Sequence, residues 1–367
     1  MFDTDVFVIG GGPAGLAAAM AARLKGLRVM VADGNRPPID KACGEGLMPD
    51  SIAAANRIGI VLPECEGLRF RGIRFHGEGH SVAADFPYGY GLGFRRTALH
   101  RHLVEQATRA GVEMLWSTPI TGIGDNAVQA PGRRISTRWI IGADGSGSLV
   151  RRWAGLDRFS SNSRRFAYRR HFACKPWTEF MEIYWGDACQ IYVTPIAREE
   201  VCVVLISRTP ELRLTEALRR FPRLVPHLSG VVTSSNERGA VTATTRLKAV
   251  ARGNVALIGD ASGSVDAITG EGLCQAFQQS AALAGALAAS DLAHYSQLHR
   301  RIAFRPALMA DVMLTMDRSP FVRRRALSAM AAQPQCFASL LAGHVGSLRP
   351  SQLLGASLSL GWQMIVR

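Results

Sequence analysis

Several features that would assign this chain to a membrane, disulfide-stabilised or repeat-protein class are missing from its sequence. The seven cysteines are odd in number and include no C-x-x-C pair, so we expect reduced thiols, no disulfide framework and no metal centre. No charged segment with a cleavage site opens the chain. The longest late apolar stretch, residues 353–366, is interrupted and shorter than the ~20 residues that span a bilayer. These absences predict a cytoplasmic protein.

Acidic residues are also scarce. Asp and Glu total 29 against 43 Lys and Arg, which leaves a net charge of +14. Such an excess suits an anionic cofactor, an acidic carrier protein, a membrane surface or a nucleic acid. The basic residues are mostly scattered arginines without interleaved aromatics, so no nucleic-acid partner is expected. At 367 residues the chain has room for a nucleotide-binding domain and a second lobe.

One glycine motif lies within residues 5–33, DVFVIGGGPAGLAAAMAARLKGLRVMVAD. An apolar strand leads into the spacing G-x-G-x-x-G, an alanine-rich helix follows, and a second apolar strand ends in an aspartate that can accept from ribose hydroxyls. This order predicts a βαβ unit that binds a dinucleotide, with the pyrophosphate at the helix N-terminus. The alternative is a glycine-rich turn in another α/β protein. The predicted binding residues are Gly10, Gly12, Pro13, Ala14, Gly15 and Asp33.

A second stretch, IIGADGSGSLVRR at residues 140–152, runs from an apolar strand into Asp144. A carboxylate at a strand end can order neighbouring backbone N–H groups. Its alternative role is to cap the following helix or to form a local turn.

The third stretch, VALIGDASGSVDAITGEGL at residues 255–273, places Asp260 after another apolar strand, where it can accept from a sugar or ribityl hydroxyl. Gly270 and Gly272 then open a long helix of small residues. The N–H groups of Gly272 and Leu273 suit an electron-rich carbonyl, whereas most of the helix is expected to pack in the core.

A fourth stretch, KACGEGLMP at residues 41–49, has the composition of a loop. Gly44 and Gly46 flank Glu45 and allow the backbone to approach a flat ligand closely. Cys43 has two interpretations, a redox or substrate-positioning thiol and an inert packing residue.

Together and in this order, the first three stretches resemble the flavoproteins of the para-hydroxybenzoate hydroxylase type, over residues 1–290. The resemblance implies that the first glycine motif binds the ADP half of FAD. It implies that the stretch with Asp144 is the second fingerprint, and that the stretch with Asp260 holds the ribityl chain and phosphate. It also implies that Arg96, at the start of a helix, contacts the cofactor. A surface salt bridge is the alternative for Arg96.

The expected fold class is α/β. A Rossmann-like FAD-binding domain with a parallel sheet is interleaved with a mainly antiparallel β-sheet substrate domain, and a helical C-terminal segment follows. Thr97 is the predicted cap of a helix over residues 98–110. The predicted boundaries are 1–68, 94–155 and 245–290 for the FAD domain, 69–93 and 156–244 for the sheet domain, and 291–367 for the C-terminal region.

Within this superfamily, Cys43 and its glycines resemble the loop of the geranylgeranyl reductase branch. Residues 182–205 resemble the aromatic substrate-sheet motif of that branch, with Tyr192 and Pro195 in matching places. Thr194 stands where the motif has its second aromatic residue, and the trailing glycines of the motif are absent.

The aromatic and proline side chains of this predicted sheet have two interpretations. Tyr184, Tyr192 and Pro195 can line an apolar pocket for a flat or greasy substrate. The alternative is that these residues fill the core of the sheet itself.

Residues 320–367 contain no acidic residue. Their arginines are Arg323, Arg324, Arg325, Arg349 and Arg367. A basic amphipathic segment of this kind can contact a membrane surface or an acidic carrier protein, and the alternative is a solvated face.

The resemblance implies FAD as the resident cofactor. Because only one dinucleotide fingerprint is present, we expect NAD(P)H to act as an external electron donor that binds transiently. The favoured reaction is hydride transfer from reduced flavin to a carbon–carbon double bond of an apolar substrate, isoprenoid-like or polyketide-like, with Cys43 as the candidate acid. The alternative is a flavin monooxygenase that hydroxylates an aromatic or polyketide-type substrate with NAD(P)H and O₂. A flavin-binding scaffold without chemistry is the remaining hypothesis.

Overall fold

The computed structural model describes residues 1–348, 352 and 355, with only the backbone described at 161–163. The strands are β1 (Thr4–Ile9), β2 (Val29–Ala32), β3 (Gly46–Leu47), β4 (Leu68–Phe70), β5 (Gly72–Gly77), β6 (His80–Asp85), β7 (Gly91–Gly93), β8 (Glu113–Leu115), β9 (Gly122–Gly124), β10 (Ala127–Ala130), β11 (Arg133–Gly142), β12 (Phe159–Phe172), β13 (Phe180–Gly186), β14 (Cys189–Ala197), β15 (Glu200–Ser207), β16 (Arg238–Leu247), β17 (Ala251–Arg252) and β18 (Val255–Leu257). The helices are α1 (Pro13–Leu24), α2 (Pro49–Arg57), α3 (Arg96–Arg109), α4 (Leu149–Trp153), α5 (Leu214–Leu218), α6 (Val225–Leu228), α7 (Gly272–Ala289), α8 (Leu292–Arg318), α9 (Pro320–Ala332) and α10 (Pro334–His344).

The first sheet has the strand order β17-β18-β11-β1-β2-β8, and β18, β11, β1, β2 and β8 run parallel. Its central strand β1 is apolar on both faces. Val6 and Val8 pack in one core cluster, and Phe7 packs in another on the opposite side. Burial on both faces explains the continuous apolar runs in these strands. The predicted Rossmann-like parallel sheet is confirmed.

The second sheet has the order β16-β12-β15-β14-β13-β5-β6 and is antiparallel except where β13 pairs with β5. One face packs against α8, α9 and α10, and the other packs against α5 and α6. Because side chains alternate along a strand, the two faces carry different residue sets. β3, β4 and β7 form a small separate sheet. The predicted mixed architecture, with a largely antiparallel sheet and C-terminal helices, is confirmed.

The C-terminal helices use one of their arginines internally. Arg323 is buried and lies 2.8 Å from a carboxylate oxygen of Glu78 and 2.6 Å from one of Asp187. Arg349 and Arg367 lie outside the described residues, so the basic membrane-facing or carrier-facing segment stays a prediction. The apolar stretch 353–366 also lies outside them, except for residue 355. Among the helices of the described part, none is both long and apolar enough to cross a membrane.

A buried ionic network joins the second sheet to α8. Arg165 of β12 lies 3.2 Å from Asp266 Oδ2 and donates to Gln190 Oε1 at 2.7 Å. Asp317 of α8 lies 4.0 Å from the same guanidinium and accepts from Gln190. Since Arg165 is 1% exposed, its charge depends on these partners rather than on water.

We expect Asp266→Ala to lower the free energy of unfolding by about 3–5 kcal/mol, because it leaves a buried guanidinium without its nearest carboxylate. Urea denaturation followed by circular dichroism measures the change. Glu216→Ala is the matched control, because it removes the partner of the exposed Arg220 and should cost about 0–1 kcal/mol. Equal unfolding midpoints for the two variants would contradict this expectation.

Candidate functional site

Three turns leave the parallel sheet at one edge. The first turn (residues 10–12) follows β1, the second (residues 143–148) follows β11, and the third (Gly259–Ser262) follows β18. These three strands are parallel neighbours, so their carboxyl ends meet at the same place. Ligands of open α/β sheets bind at this kind of edge.

The three turns are also in direct contact with one another. A Cβ atom added to Gly10 would lie 2.4 Å from the carbonyl oxygen of Ala143. A Cβ atom added to Gly259 would lie 2.7 Å from Ala14 Cβ at the start of α1. The structure therefore brings together the first, second and third sequence stretches.

Glycine is required at Gly10 of the first turn and at Gly15 of the helix that follows, and the N-terminus of that helix is free. Gly10 has a φ of +112°, and a Cβ added to Gly15 would lie 1.9 Å from the Gly10 carbonyl oxygen. α1 begins at Pro13, and no side chain caps its N-terminus. An uncapped helix N-terminus carries free N–H groups and a partial positive charge, which suits a phosphate.

Asp33 stabilises the first turn. Its Oδ2 accepts from the N–H of Gly11 at 2.8 Å, and its Oδ1 accepts from the N–H of Asn35 at 2.8 Å. Oδ1 also accepts from the side-chain amide of Asn35 at 3.0 Å, so Oδ2 is the oxygen that retains a lone pair for a further donor. Contact between Asp33 and a ribose stays a prediction.

His100 of α3 also holds the first turn, although no local sequence pattern indicates this role. Its Nδ1 accepts from the N–H of Ile39 at 3.3 Å, so its Nε2 carries the proton and donates to the Gly11 carbonyl at 2.8 Å. Burial lowers the pKa of His100, which keeps the imidazole neutral in this role.

Two further residues outside the motifs hold the third turn. Gln279 of α7 accepts from the N–H of Gly259 at 2.9 Å. His299 of α8 lies 3.2 Å from the Gln279 amide nitrogen and 2.9 Å from Ser262 Oγ. Burial lowers the pKa of His299 to about 4, so this imidazole is neutral near pH 7.

Asp144 uses both carboxylate oxygens within the second turn. Oδ1 accepts from Ser148 Oγ at 2.6 Å, and Oδ2 accepts from the N–H groups of Leu149 and Val150 at 2.7 and 3.1 Å. Asp144 thus orders neighbouring backbone N–H groups at the start of α4, while the N-cap of that helix is Ser148, whose Oγ accepts from the N–H of Arg151 at 2.9 Å.

Asp260 lies on the third turn and accepts from Lys41 Nζ at 2.8 Å. Its side chain is 41% exposed, so it remains accessible to a ligand hydroxyl. The ion pair also connects the fourth stretch to the third turn.

Helix α3 begins at Arg96 rather than at residue 98, and the predicted cap by Thr97 is wrong. No side chain at the helix start supplies a cap. The N–H of Arg96 instead donates to Glu45 Oε1 at 2.9 Å, so a carboxylate from a distant loop satisfies this end of the helix. The sequence could not show this contact, because 51 positions separate the two residues.

Helix α7, whose Gln279 contacts the third turn, begins at Gly272. Glu271 is its N-terminal flanking residue, and neither Gly270 nor Gly272 receives a side-chain cap. Leu273 lies in the first turn of the helix and is half-buried. Burial raises the pKa of the Glu271 carboxyl, whose nearest cation is Arg305 at 3.6 Å.

Four predicted glycines face open space. A Cβ atom added to Gly12, Gly44, Gly270 or Gly272 would meet no atom within 4 Å. Arg96 Nε is buried and has no hydrogen-bond partner in the described part of the chain. Open backbone at four places, two uncapped helix ends and an unpartnered guanidinium Nε–H of Arg96 fit an elongated anionic ligand.

The Cys43 loop (residues 43–46) lies between these turns and the second sheet. Thr194 of β14 donates to the Gly44 carbonyl at 2.7 Å, and Cys202 of β15 donates to the Cys43 carbonyl at 3.6 Å. Cys43 is half-buried, and its Sγ accepts from the N–H of Glu45 at 3.4 Å. The residue that departs from the aromatic motif, Thr194, therefore holds this loop.

Glu45, His171 and Cys202 lie close enough to offer ligand atoms to a cation, within 4.8 Å of one another. Guanidinium nitrogens of Arg95 and Arg169 lie 3.2 Å from His171 Nδ1. Two cations at this distance repel a metal ion, so these side chains fit a hydrogen-bond network better than a metal site.

The aromatic residues predicted for the substrate lie on different faces of the second sheet. Tyr192 shares a face with Thr194, and its hydroxyl donates to the Ile268 carbonyl at 2.8 Å. Tyr184 lies on the opposite face and donates to Glu182 Oε2 at 2.6 Å. Pro195 also alternates away from the Thr194 face. The structure thus brings Tyr192, but neither Tyr184 nor Pro195, to the face that holds the Cys43 loop.

Comparisons with known proteins agree with this geometry. The model of a family described as FAD binding domain matches residues 3–293. A menaquinone reductase of Mycobacterium tuberculosis is 28% identical over 319 residues, covering 79% of this chain and 78% of that protein. A digeranylgeranylglycerophospholipid reductase of Thermoplasma volcanium is 27% identical over 300 residues, 74% of each. A rifampicin monooxygenase of Streptomyces venezuelae is 28% identical over 172 residues, 41% of this chain and 34% of that protein.

Solved structures with the same fold cover almost the whole chain. A flavoprotein/dehydrogenase from Cytophaga hutchinsonii has a TM-score of 0.83 at 18% identity, covering 99% of this chain and 98% of that one. A geranylgeranyl bacteriochlorophyll reductase-like protein from Thermoplasma acidophilum has a TM-score of 0.72 at 21% identity, covering 99% and 97%. The predicted flavoprotein resemblance is confirmed: the chain belongs to the FAD binding domain family of para-hydroxybenzoate hydroxylase type, and it is an FAD-dependent oxidoreductase.

Proposed function

We propose that this chain is an FAD-dependent reductase that adds hydrogen across a carbon–carbon double bond of an apolar substrate, isoprenoid-like or polyketide-like. The observation that carries the proposal is the position of the Cys43 loop. The second sheet holds the carbonyls of Cys43 and Gly44, yet Cys43 itself is only half-buried. A thiol is therefore held between the cofactor turns and the sheet.

Bound FAD, once reduced, supplies the hydride. Addition of hydride to one carbon of the double bond leaves an electron pair on the neighbouring carbon, and that pair must take a proton. Cys43 is the candidate acid, and water returns the proton to its thiolate. NAD(P)H is our proposed external donor. It loses one hydride per double bond reduced, so electrons and atoms balance.

Apolar side chains support an apolar substrate. A Cβ at Gly46 would lie 3.3 Å from Met181 Sδ, so the loop runs along a methionine of the second sheet. Met181 and Tyr192 belong to the core cluster on this face. These buried side chains give the loop an apolar environment, and predominantly apolar surroundings with a few polar groups are typical of sites for small apolar ligands.

The extent of the matches favours reduction over hydroxylation. The reductase relatives match 79% and 74% of this chain, whereas the rifampicin monooxygenase matches 41%. That partial match keeps a monooxygenase as the second candidate.

Turnover without oxygen separates the two candidates. Under argon, we expect the reduced holoenzyme to be reoxidised by a prenylated lipid without a quinone ring, with a product two hydrogens heavier whose fragment ions place both hydrogens in the prenyl chain. Omission of the substrate is the control for residual oxygen. A product that gains an oxygen atom, and forms only in air, would instead establish the monooxygenase.

We expect Cys43→Ala to slow substrate reduction by ~10²-fold or more, because a positioned acid typically contributes that much. Anaerobic stopped-flow absorbance of the flavin measures the rate. Cys174→Ala is the control, because Cys174 is also half-buried but follows the end of β12. Full activity of Cys43→Ala would remove the thiol from the mechanism.

We expect His100→Leu to weaken FAD binding by about tenfold, since it leaves the Gly11 carbonyl without its donor at a cost on the order of 1.4 kcal/mol. Titration of apoprotein with FAD, followed by flavin fluorescence, gives the Kd. His102→Leu should bind FAD like the native chain, because His102 faces Glu66 at 3.0 Å and not the turn. An unchanged Kd in His100→Leu would contradict this role.

A further inference from the structure

Glu45 has an unusual backbone conformation for its residue type. Its φ is +58°, in the left-handed region that glycine occupies readily and other residues occupy at a cost of roughly 1–2 kcal/mol. Glycine stands on either side of it, yet this position carries a glutamate. Contacts of the side chain must therefore offset the strain of the backbone.

Those contacts are two hydrogen bonds in a buried environment. Oε1 accepts from the N–H of Arg96 at 2.9 Å, and Oε2 lies 2.7 Å from His171 Nε2. Glu45 is 3% exposed, and the guanidinium of Arg169 lies 4.0 Å from its carboxylate. The carboxylate points into the protein rather than towards the open space above Gly44.

The tautomer of His171 follows from its other partners. Arginine guanidinium groups can only donate, and those of Arg95 and Arg169 lie 3.2 Å from Nδ1. Ser235 Oγ lies 2.7 Å from the same nitrogen. Nδ1 therefore accepts a hydrogen bond, so Nε2 carries the ring hydrogen. Nε2 then donates a hydrogen bond to Glu45 Oε2.

We propose that Glu45 is a positioning residue for the reaction, whose carboxylate fixes the Cys43 loop to the cofactor domain and to the substrate sheet at once. The proposal rests on the function proposed above and deepens it. Arg96 begins α3, the helix that also carries His100 and thereby the first turn. His171 belongs to β12 of the second sheet. One carboxylate thus sets the position of the Cys43 thiol relative to both.

The test is a graded series at one position, made in the FAD-loaded protein. Glu45→Gly removes the carboxylate but relieves the backbone strain, and Glu45→Gln offers one acceptor oxygen to two donors. We expect the rate of Cys43 alkylation by iodoacetamide, resolved by peptide mass spectrometry, to rise at least tenfold in Glu45→Gly and by an intermediate factor in Glu45→Gln. In both variants kcat for substrate should fall while KM for NAD(P)H stays unchanged.

Ala188→Gly is the matched control, because Ala188 also has a left-handed φ, +57°, in a tight turn of the second sheet. It should leave the alkylation rate and kcat unchanged. His171→Leu removes the other partner of the hydrogen bond between His171 and Glu45, and it should also raise the alkylation rate of Cys43 at least tenfold. When His171→Leu is combined with Glu45→Gly, the alkylation rate should rise by less than about twofold over that of Glu45→Gly alone, because the effects of interacting residues are not additive.

Alkylation of Cys43 in Glu45→Gly at the native rate would overturn the proposal, because glycine would then suffice at this position. A fully additive double variant would also overturn it. The alkylation result does not depend on which reaction the enzyme performs. A failure of the proposed reduction is therefore distinguishable from a failure of this positioning role.

Discussion

The site depends on the adjacency of three parallel strands, β18, β11 and β1. Parallel neighbours end at one sheet edge, so the turns that follow them meet without any long loop having to fold over the sheet. The adjacency also imposes close contact: α1 approaches β1 so tightly that a Cβ at Gly15 would lie 1.9 Å from the Gly10 carbonyl. Packing alone therefore requires glycine at Gly10 and Gly15, whereas Gly12 faces open space and is left to the ligand.

A second set of residues makes the turns rigid. His100 holds the first turn, while Gln279 and His299 hold the third. All three are buried and neutral, so they fix backbone groups without adding charge near an anionic ligand. Turns held in place before binding lose less conformational entropy when the cofactor arrives. Tyr192 extends the same support from the second sheet to the Ile268 carbonyl.

The sequence predicted those parts of the site whose residues lie close together along the chain. Strand, turn and helix succeed one another within 30 residues, so the sequence predicted the turns at Gly10, Asp144 and Asp260 and the parallel sheet around them. The bond from Glu45 to His171 spans 126 positions, and neither residue carries a local sign of the other. The sequence could also have predicted that Tyr184 and Tyr192 lie on opposite faces of the second sheet. Once the β13–β14 hairpin is placed with Ile183 opposite Tyr192, alternation puts the two tyrosines on opposite faces.

Thr194 connects the departure from the reductase motif to the geometry of the loop. An aromatic hydrocarbon ring has no donor for the Gly44 carbonyl, whereas the threonine hydroxyl reaches it at 2.7 Å. The smaller side chain also lets its methyl group lie 3.5 Å from the Cβ position of Gly46. The chain thus has polar support for the loop where the motif has an aromatic surface. An aromatic ring beside the loop comes instead from β4, where buried Phe70 lies 3.7 Å from the same Gly46 position.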